Sequence, residues 1–135
     1  MDFNQQIIDT FRTNGGVVEQ PPFGDGLVLV HVPKKDGGVR VTPLAAVQHD
    51  GAWHVVGSGG GSPRHPAWVY GLRRAEQVDL EVPGDPVRTV RVWVDELEER
   101  ERAEMWPRFI EMSSGFAEYE KTSEGRVFPI FRLVP

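Results

Sequence analysis

The chain has no cysteine. That excludes a disulfide framework, a thiolate zinc site, a cysteine-ligated iron–sulfur cluster and a thiol nucleophile, and it fits a reducing compartment. No apolar run approaches the roughly 18 residues of a membrane-spanning helix. The start, Met1-Asp2-Phe3-Asn4-Gln5-Gln6, lacks the basic and apolar stretches of a signal peptide, so a cytoplasmic location is expected. Positive charge is in deficit, with 15 Lys and Arg against 20 Asp and Glu, a net −5. Such a chain lacks the cationic face of a general nucleic-acid binder, and no nucleic-acid partner is expected. Histidine is sparse, and His31, His49, His54 and His65 show no ligand spacing, so no metal is expected. His65-Pro66 reads as part of a turn motif.

What the chain does have is valine and turn formers. Its 135 residues include 19 Val against seven Leu and four Ile, with 15 Gly and 11 Pro. A Val-rich, turn-rich chain of this length points to one domain, 1–135, built from many short strands. The charge is uneven. Residues 27–75 hold Lys34, Lys35, Arg40, Arg64, Arg73 and Arg74 against only Asp36 and Asp50, a net +4, which leaves −9 for the rest. A cationic segment in an acidic chain suits a local anionic ligand, although scattered surface charge would read the same way.

Phe3, Ile7, Ile8 and Phe11 at helical spacing, with Gly15-Gly16 as a stop, predict a helix over 3–13. Residues 17–26, with Pro21-Pro22 and Gly24-Asp25-Gly26, read as a loop. Residues 27–32 are a nearly continuous apolar run, hence a buried strand. A polar turn, 33–38, leads to a strand over 39–48 with Pro43 at a bulge or an unpaired position. Asp50-Gly51 predicts a hairpin returning through 52–57. Pro66 opens a short helix over 66–74. Residues 78–82 and 87–94 form a hairpin, with Val90, Val92 and Val94 on one face. Asp95 and Glu98 resemble a capping box for a helix reaching Met112, kinked or divided at Pro107. Its inward face is Leu97, Met105, Phe109 and Met112, and the charged run from Glu98 to Glu104 is its solvated face. A short helix within 113–122 and a last strand over 126–134, at an edge or bulged because of Pro129, complete the chain. The expected fold is α+β, mostly β: a small closed or split antiparallel barrel of about six strands with flanking helices.

Four stretches, taken in order, carry a resemblance. They are Lys34-Lys35-Asp36-Gly37-x-x-Arg40-x-x-Pro43-Leu44; Gly57-Ser58-x-x-Gly61-x-Pro63-x-His65-Pro66-x-Trp68; Glu99-Arg100 with Trp106-Pro107; and Tyr119-Glu120-x-Thr122 before Arg126-x-x-Pro129. Together they resemble the deazaflavin (F420)-dependent nitroreductase family of actinobacteria, over nearly the whole chain. The resemblance implies the split barrel shared with FMN-binding oxidases. It implies coenzyme F420, with FMN as the alternative cofactor. The reaction it implies is hydride transfer to a quinone, nitroaromatic or activated alkene, with peripheral membrane contact through a quinone and a monomer or homodimer. By the same resemblance Lys35 and Arg40 hold the cofactor phosphate with Lys34 beside them, and amides of Asp36-Gly37-Gly38 add a nest of donors. Thr42 and Pro43 lie against the ring, and Ser58, Gly59, Gly60 and Gly61 close over it. Trp68 is a wall of the site or a core residue. Ser58 donates to substrate or serves a turn. Tyr119 stabilises the anion left by hydride transfer or packs on the barrel. Arg126 is expected to pair with a helix carboxylate.

The chain also departs from the family pattern. Asp36 puts a negative charge beside the phosphate site. Gly59 replaces a lysine, Gly71 replaces an asparagine among the cofactor contacts, and Thr42 stands where asparagine is common. Each lost charge-assisted hydrogen bond costs about 1.5–3 kcal/mol. If Gly59 and Gly71 enlarge the groove, a non-catalytic barrel holding a lipid, flavin or haem-like ligand becomes the alternative reading.

Overall fold

A computed structural model describes residues 3–19 and 26–135. Much of the loop expected over 17–26 therefore lies outside the described residues. The elements are α1 (Phe3–Thr13), β1 (Leu27–Pro33), β2 (Val39–Ala45), β3 (Val47–His49), β4 (Ala52–Val56), a 3₁₀ turn (Gly59–Gly61), α2 (Ala67–Arg73), β5 (Gln77–Val82), β6 (Arg88–Glu96), α3 (Glu99–Met112), α4 (Gly115–Thr122) and β7 (Ile130–Val134). The seven strands form one antiparallel sheet in the order β2-β1-β5-β6-β7-β4-β3.

The two edge strands are consecutive in the chain, and this closes the sheet. At Ala46 the chain leaves the β1 edge, its amide bonded to Gly26 O at 2.8 Å. The next residue starts β3, which pairs with β4 at the opposite edge. The sheet must curl to allow this, and β2 comes into contact with β4. The result is a curled half-barrel. The single strand expected over 39–48 is thus two strands, which makes seven rather than six. Pro43 makes no bulge: it lies opposite Leu29 in unbroken register, on an edge strand, where a sheet tolerates proline.

Strand alternation sorts the apolar residues into layers. Val28, Val30 and Val32 point into the barrel with Val55, Val69, Leu80, Val92 and Phe131. Leu27 and Leu29 point outward and are covered by Ile7, Ile8 and Phe11 of α1. Strand β1 is thus buried on both faces, as its nearly continuous apolar run requires. A third cluster, including Met105, Phe109, Phe128 and Ile130, lies under α3. Val92 is buried in the barrel with Val90 and Val94 packed beside it. Asp50 and Gly51 both have positive φ, 51° and 75°, the geometry of a tight hairpin turn.

Two expectations fail for tertiary reasons, and of the kink or division expected at Pro107 the division does not occur. The capping box does not form, because β6 runs on through Asp95 and Glu96. Asp95 instead pairs with Arg132 across the sheet, and α3 begins at Glu99. Helix α3 also passes through Pro107 undivided. Strand β7 is central, between β6 and β4, and starts only after Pro129, so the proline ends an irregular approach rather than marking an edge.

Candidate functional site

The β1–β2 hairpin and α2 with the segment before it enclose an open groove of ≈ 630 Å³. Val32, Pro33, Lys34, Lys35, Arg40 and Thr42 line one wall; His65, Ala67, Trp68, Tyr70 and Arg74 line the other. Four of the six cations in the basic segment therefore meet at one place. Of the other two, Arg73 turns to Glu96 in a two-pronged pair at 2.8 and 2.9 Å, and Arg64 does not line the groove. Among the described residues, Lys35 and Arg40 have no ion pair. Arg74 donates to Pro33 O at 3.2 Å.

The turn that carries these lysines is closed by its own side chain. Asp36 Oδ1 accepts from the Gly38 amide at 2.8 Å, and the Gly37 amide donates to Lys34 O at 3.1 Å. Two of the three amides expected to form a nest at 36–38, those of Gly37 and Gly38, thus serve the turn instead. The Gly38 amide, with Lys34 nearby, holds the Asp36 carboxyl below its ordinary range. That carboxylate is engaged with the turn, and it does not line the groove.

Deeper in the groove stands Thr42. Its Oγ1 is buried and has no hydrogen-bond partner among the described residues, a state that a native fold keeps rare. Trp68 packs on the barrel core beside Phe131 with centroids 6.0 Å apart and also lines the groove.

Other expected positions lie outside the lining. Asp36, Gly37, Pro43, Ser58, Gly59, Gly60, Gly61, Gly71 and Tyr119 are not part of it. The glycine stretch faces helix α4: a Cβ at Gly61 would lie 2.5 Å from Thr122 Oγ1 and 2.9 Å from Tyr119 Cα, and Thr122 Oγ1 donates to Gly61 O at 2.9 Å. Two of these glycines admit protein backbone and side chains, since Gly59 is also faced by Pro66 at 3.2 Å; beside Gly60 the space is open. Gly71 is the point where α2 crosses β1. A Cβ there would collide with Val32 Cγ1 and come within 2.9 Å of Pro33 O. Gly71 therefore opens no extra space, and the enlarged groove that motivated a non-catalytic ligand-holder is not there. Tyr119 packs edge-on against Phe116, centroids 5.7 Å apart, in the cluster under α3.

Arg126 was expected on a carboxylate. It instead gathers backbone oxygens, donating to Gly57 O at 2.9 Å, Ser58 O at 2.6 Å and Ser62 O at 2.9 Å. Its Nη1 also lies 2.6 Å from His65 Nδ1. Buried carbonyls need donors, and one guanidinium supplies them to both ends of the glycine stretch. Nothing local in the sequence signals this, because the partners are main-chain atoms some 60–70 positions away. Burial first, then Arg126 and Arg73, push His65 below its ordinary value. Arg74 was visible in the charge count, whereas Tyr70, 47% exposed at the mouth, carried no signal.

An anionic tail with a flat polar ring fits this arrangement. The rim is cationic, and Trp68 and Thr42 line the groove within it. A family model for F420H(2)-dependent quinone reductases matches residues 4–135. A solved F420-H2-dependent reductase (FDR-A) is 28% identical, with TM-score 0.70, over 87% of this chain and 96% of that one. A structure described as a domain-swapped dimer is 29% identical, also with TM-score 0.70, over 96% and 92%. The haem storage protein HutZ from Vibrio cholerae, 16% identical with TM-score 0.56 over 100% and 91%, shares the fold. By its sequence over nearly its full length, this chain belongs to the F420H(2)-dependent quinone reductase family, an oxidoreductase that uses coenzyme F420.

Proposed function

We propose that the groove between the β1–β2 hairpin and α2 is the F420 site, with the anionic tail on Lys35 and Arg40 and the ring beside Thr42 and Trp68. The observation that carries this reading is the convergence of Lys34, Lys35, Arg40 and Arg74 on one groove of an acidic protein, two of them with no ion pair among the described residues. A guanidinium grips phosphate by two hydrogen bonds, and an ammonium adds a point charge. When bound, reduced F420 supplies the hydride. The protein's part is placement and electrostatics. Trp68 and Val32 give the ring apolar walls, Thr42 lies beside it, and the segment held by Arg126 braces the second wall. The acceptor of this reading is a quinone, with nitroaromatics and activated alkenes as further candidates. Ser58, 6% exposed, and Tyr119 belong to the packing behind the groove in this reading.

Fluorescence titration with oxidised F420 tests it. Saturable quenching is expected, weakened about 10–100-fold by Arg40→Ala and by Lys35→Ala, with FMN binding far less well. Unchanged affinity in both variants would place the cofactor elsewhere. The reading includes a homodimer, supported by the 29%-identical structure described as a domain-swapped dimer; light scattering checks it. An actinobacterial, cytoplasmic setting accompanies the family resemblance.

A further inference from the structure

His65 is a polar group of the groove that the cofactor reading leaves without a task. It lies on the α2 side, just before Pro66, the N-cap of α2. Its Nδ1 sits 2.6 Å from Arg126 Nη1. A guanidinium only donates, so Nδ1 must accept, and the ring's proton is on Nε2. Arg126 has no freedom to release this contact. Three backbone carbonyls hold it, and its guanidinium lies over the Phe128 ring, 4.7 Å from the centroid. The other edge of the imidazole has no partner among the described residues. The ring packs edge-on against Tyr70, centroids 5.9 Å apart.

We propose that His65 is a neutral hydrogen-bond donor of the groove through Nε2–H, with Arg126 as the residue that positions it and sets its tautomer, and that it receives a carbonyl or anionic oxygen of the bound redox partners. This rests on the groove being the F420 site. The charged and titratable groups facing His65 are Arg126, Arg73 on α2, Glu96 on β6 and Tyr70 on α2. A second positive charge would stand against Arg126, so the ring stays neutral near neutral pH. Loss of the Nε2 proton would leave an imidazolate, so His65 binds an oxygen and transfers no proton. The four cations of the rim suit the tail. A neutral donor on the α2 side of the groove suits a ring or quinone oxygen, whose charge changes as hydride moves.

Nitrogen-15 NMR of the imidazole in the ligand-free protein reads the tautomer directly. The expected result is an Nε2–H ring at pH 7 that protonates below the ordinary histidine range. Arg126→Gln should raise that midpoint and mix the tautomers, a change that a merely structural role would not produce. His65→Phe should weaken F420 binding about tenfold if the oxygen belongs to the deazaflavin. If it belongs to the acceptor, the same variant should lower quinone kcat/KM about tenfold at unchanged F420 affinity. His65→Gln, which keeps a donor, should recover part of either loss. Should Arg126→Gln fail to fold, the wild-type spectrum and the His65 variants still decide. A charged or Nδ1–H ring at pH 7 overturns the inference. So does wild-type F420 binding with both His65→Phe readings unchanged. A wild type that binds no F420 overturns the functional reading itself.

Discussion

Thr42 shows how one atom separates folding from binding. Its buried Oγ1 has no partner among the described residues, and an unsatisfied buried hydroxyl costs about 1–3 kcal/mol. Thr42→Val keeps the shape and removes the orphan. Ligand-free protein should then be more stable by about 1 kcal/mol, while F420 binds about tenfold more weakly. Denaturant melts and fluorescence titration read the two changes. A variant that loses stability and keeps its affinity would show that the hydroxyl is not reserved for a ligand. The composition of the cationic rim was legible from the chain, since Lys34, Lys35 and Arg40 stand within seven residues. The orphaned state of Thr42 was not, because it depends on what surrounds the atom and not on its neighbours in sequence.

At the scale of elements, α1 is fastened to the barrel by a buried carboxylate. Glu81 on β5 accepts from Arg12 Nε at 2.9 Å and Nη2 at 2.7 Å, and His31 Nε2 on β1 lies 2.7 Å from the same side chain. Arg12, first, and His31 hold the Glu81 carboxyl below its ordinary value, against the opposing effect of burial. A carboxylate lowered in the folded state contributes stability that is whole above its unfolded value and is lost as pH falls through the folded one. Glu81→Gln should therefore destabilise the protein by about 2 kcal/mol near neutrality. The gap to wild type should narrow in acid, below the ordinary carboxylate range. Thermal melts across pH check this, and a constant gap would mean that the carboxylate's charge is irrelevant. The helix itself was readable from Ile7, Ile8 and Phe11. Its clamp was not: Arg12 and Glu81 lie 69 positions apart. The same holds for Asp95, whose capping pattern was overridden when Arg132 on the neighbouring strand took the carboxylate.

Over the whole molecule, charge is divided between an acidic exterior and a cationic groove. Such a groove attracts an anion even though the net charge opposes it. Exposed charges are screened as the Debye length falls from about 10 Å at 0.1 M to about 3 Å at 1 M salt. F420 affinity should therefore weaken steadily with salt, more so than the stability of the fold. Calorimetric titration at low and high salt, beside melts in the same buffers, makes the comparison; salt-independent affinity would argue against the tail resting on the rim.

The strand-rich, helix-flanked character of the fold and the basic segment are legible in the chain, through alternation, glycine and proline punctuation, and local charge. Its motifs also carried the family. It takes the folded chain to show that Ala46 joins the two edges of the sheet, that Gly61 makes room for α4 and Gly71 for a helix crossing, and that Arg126 lies against His65. Those outcomes depend on atoms brought together from distant positions, and the packing that joins them leaves no local periodicity to read.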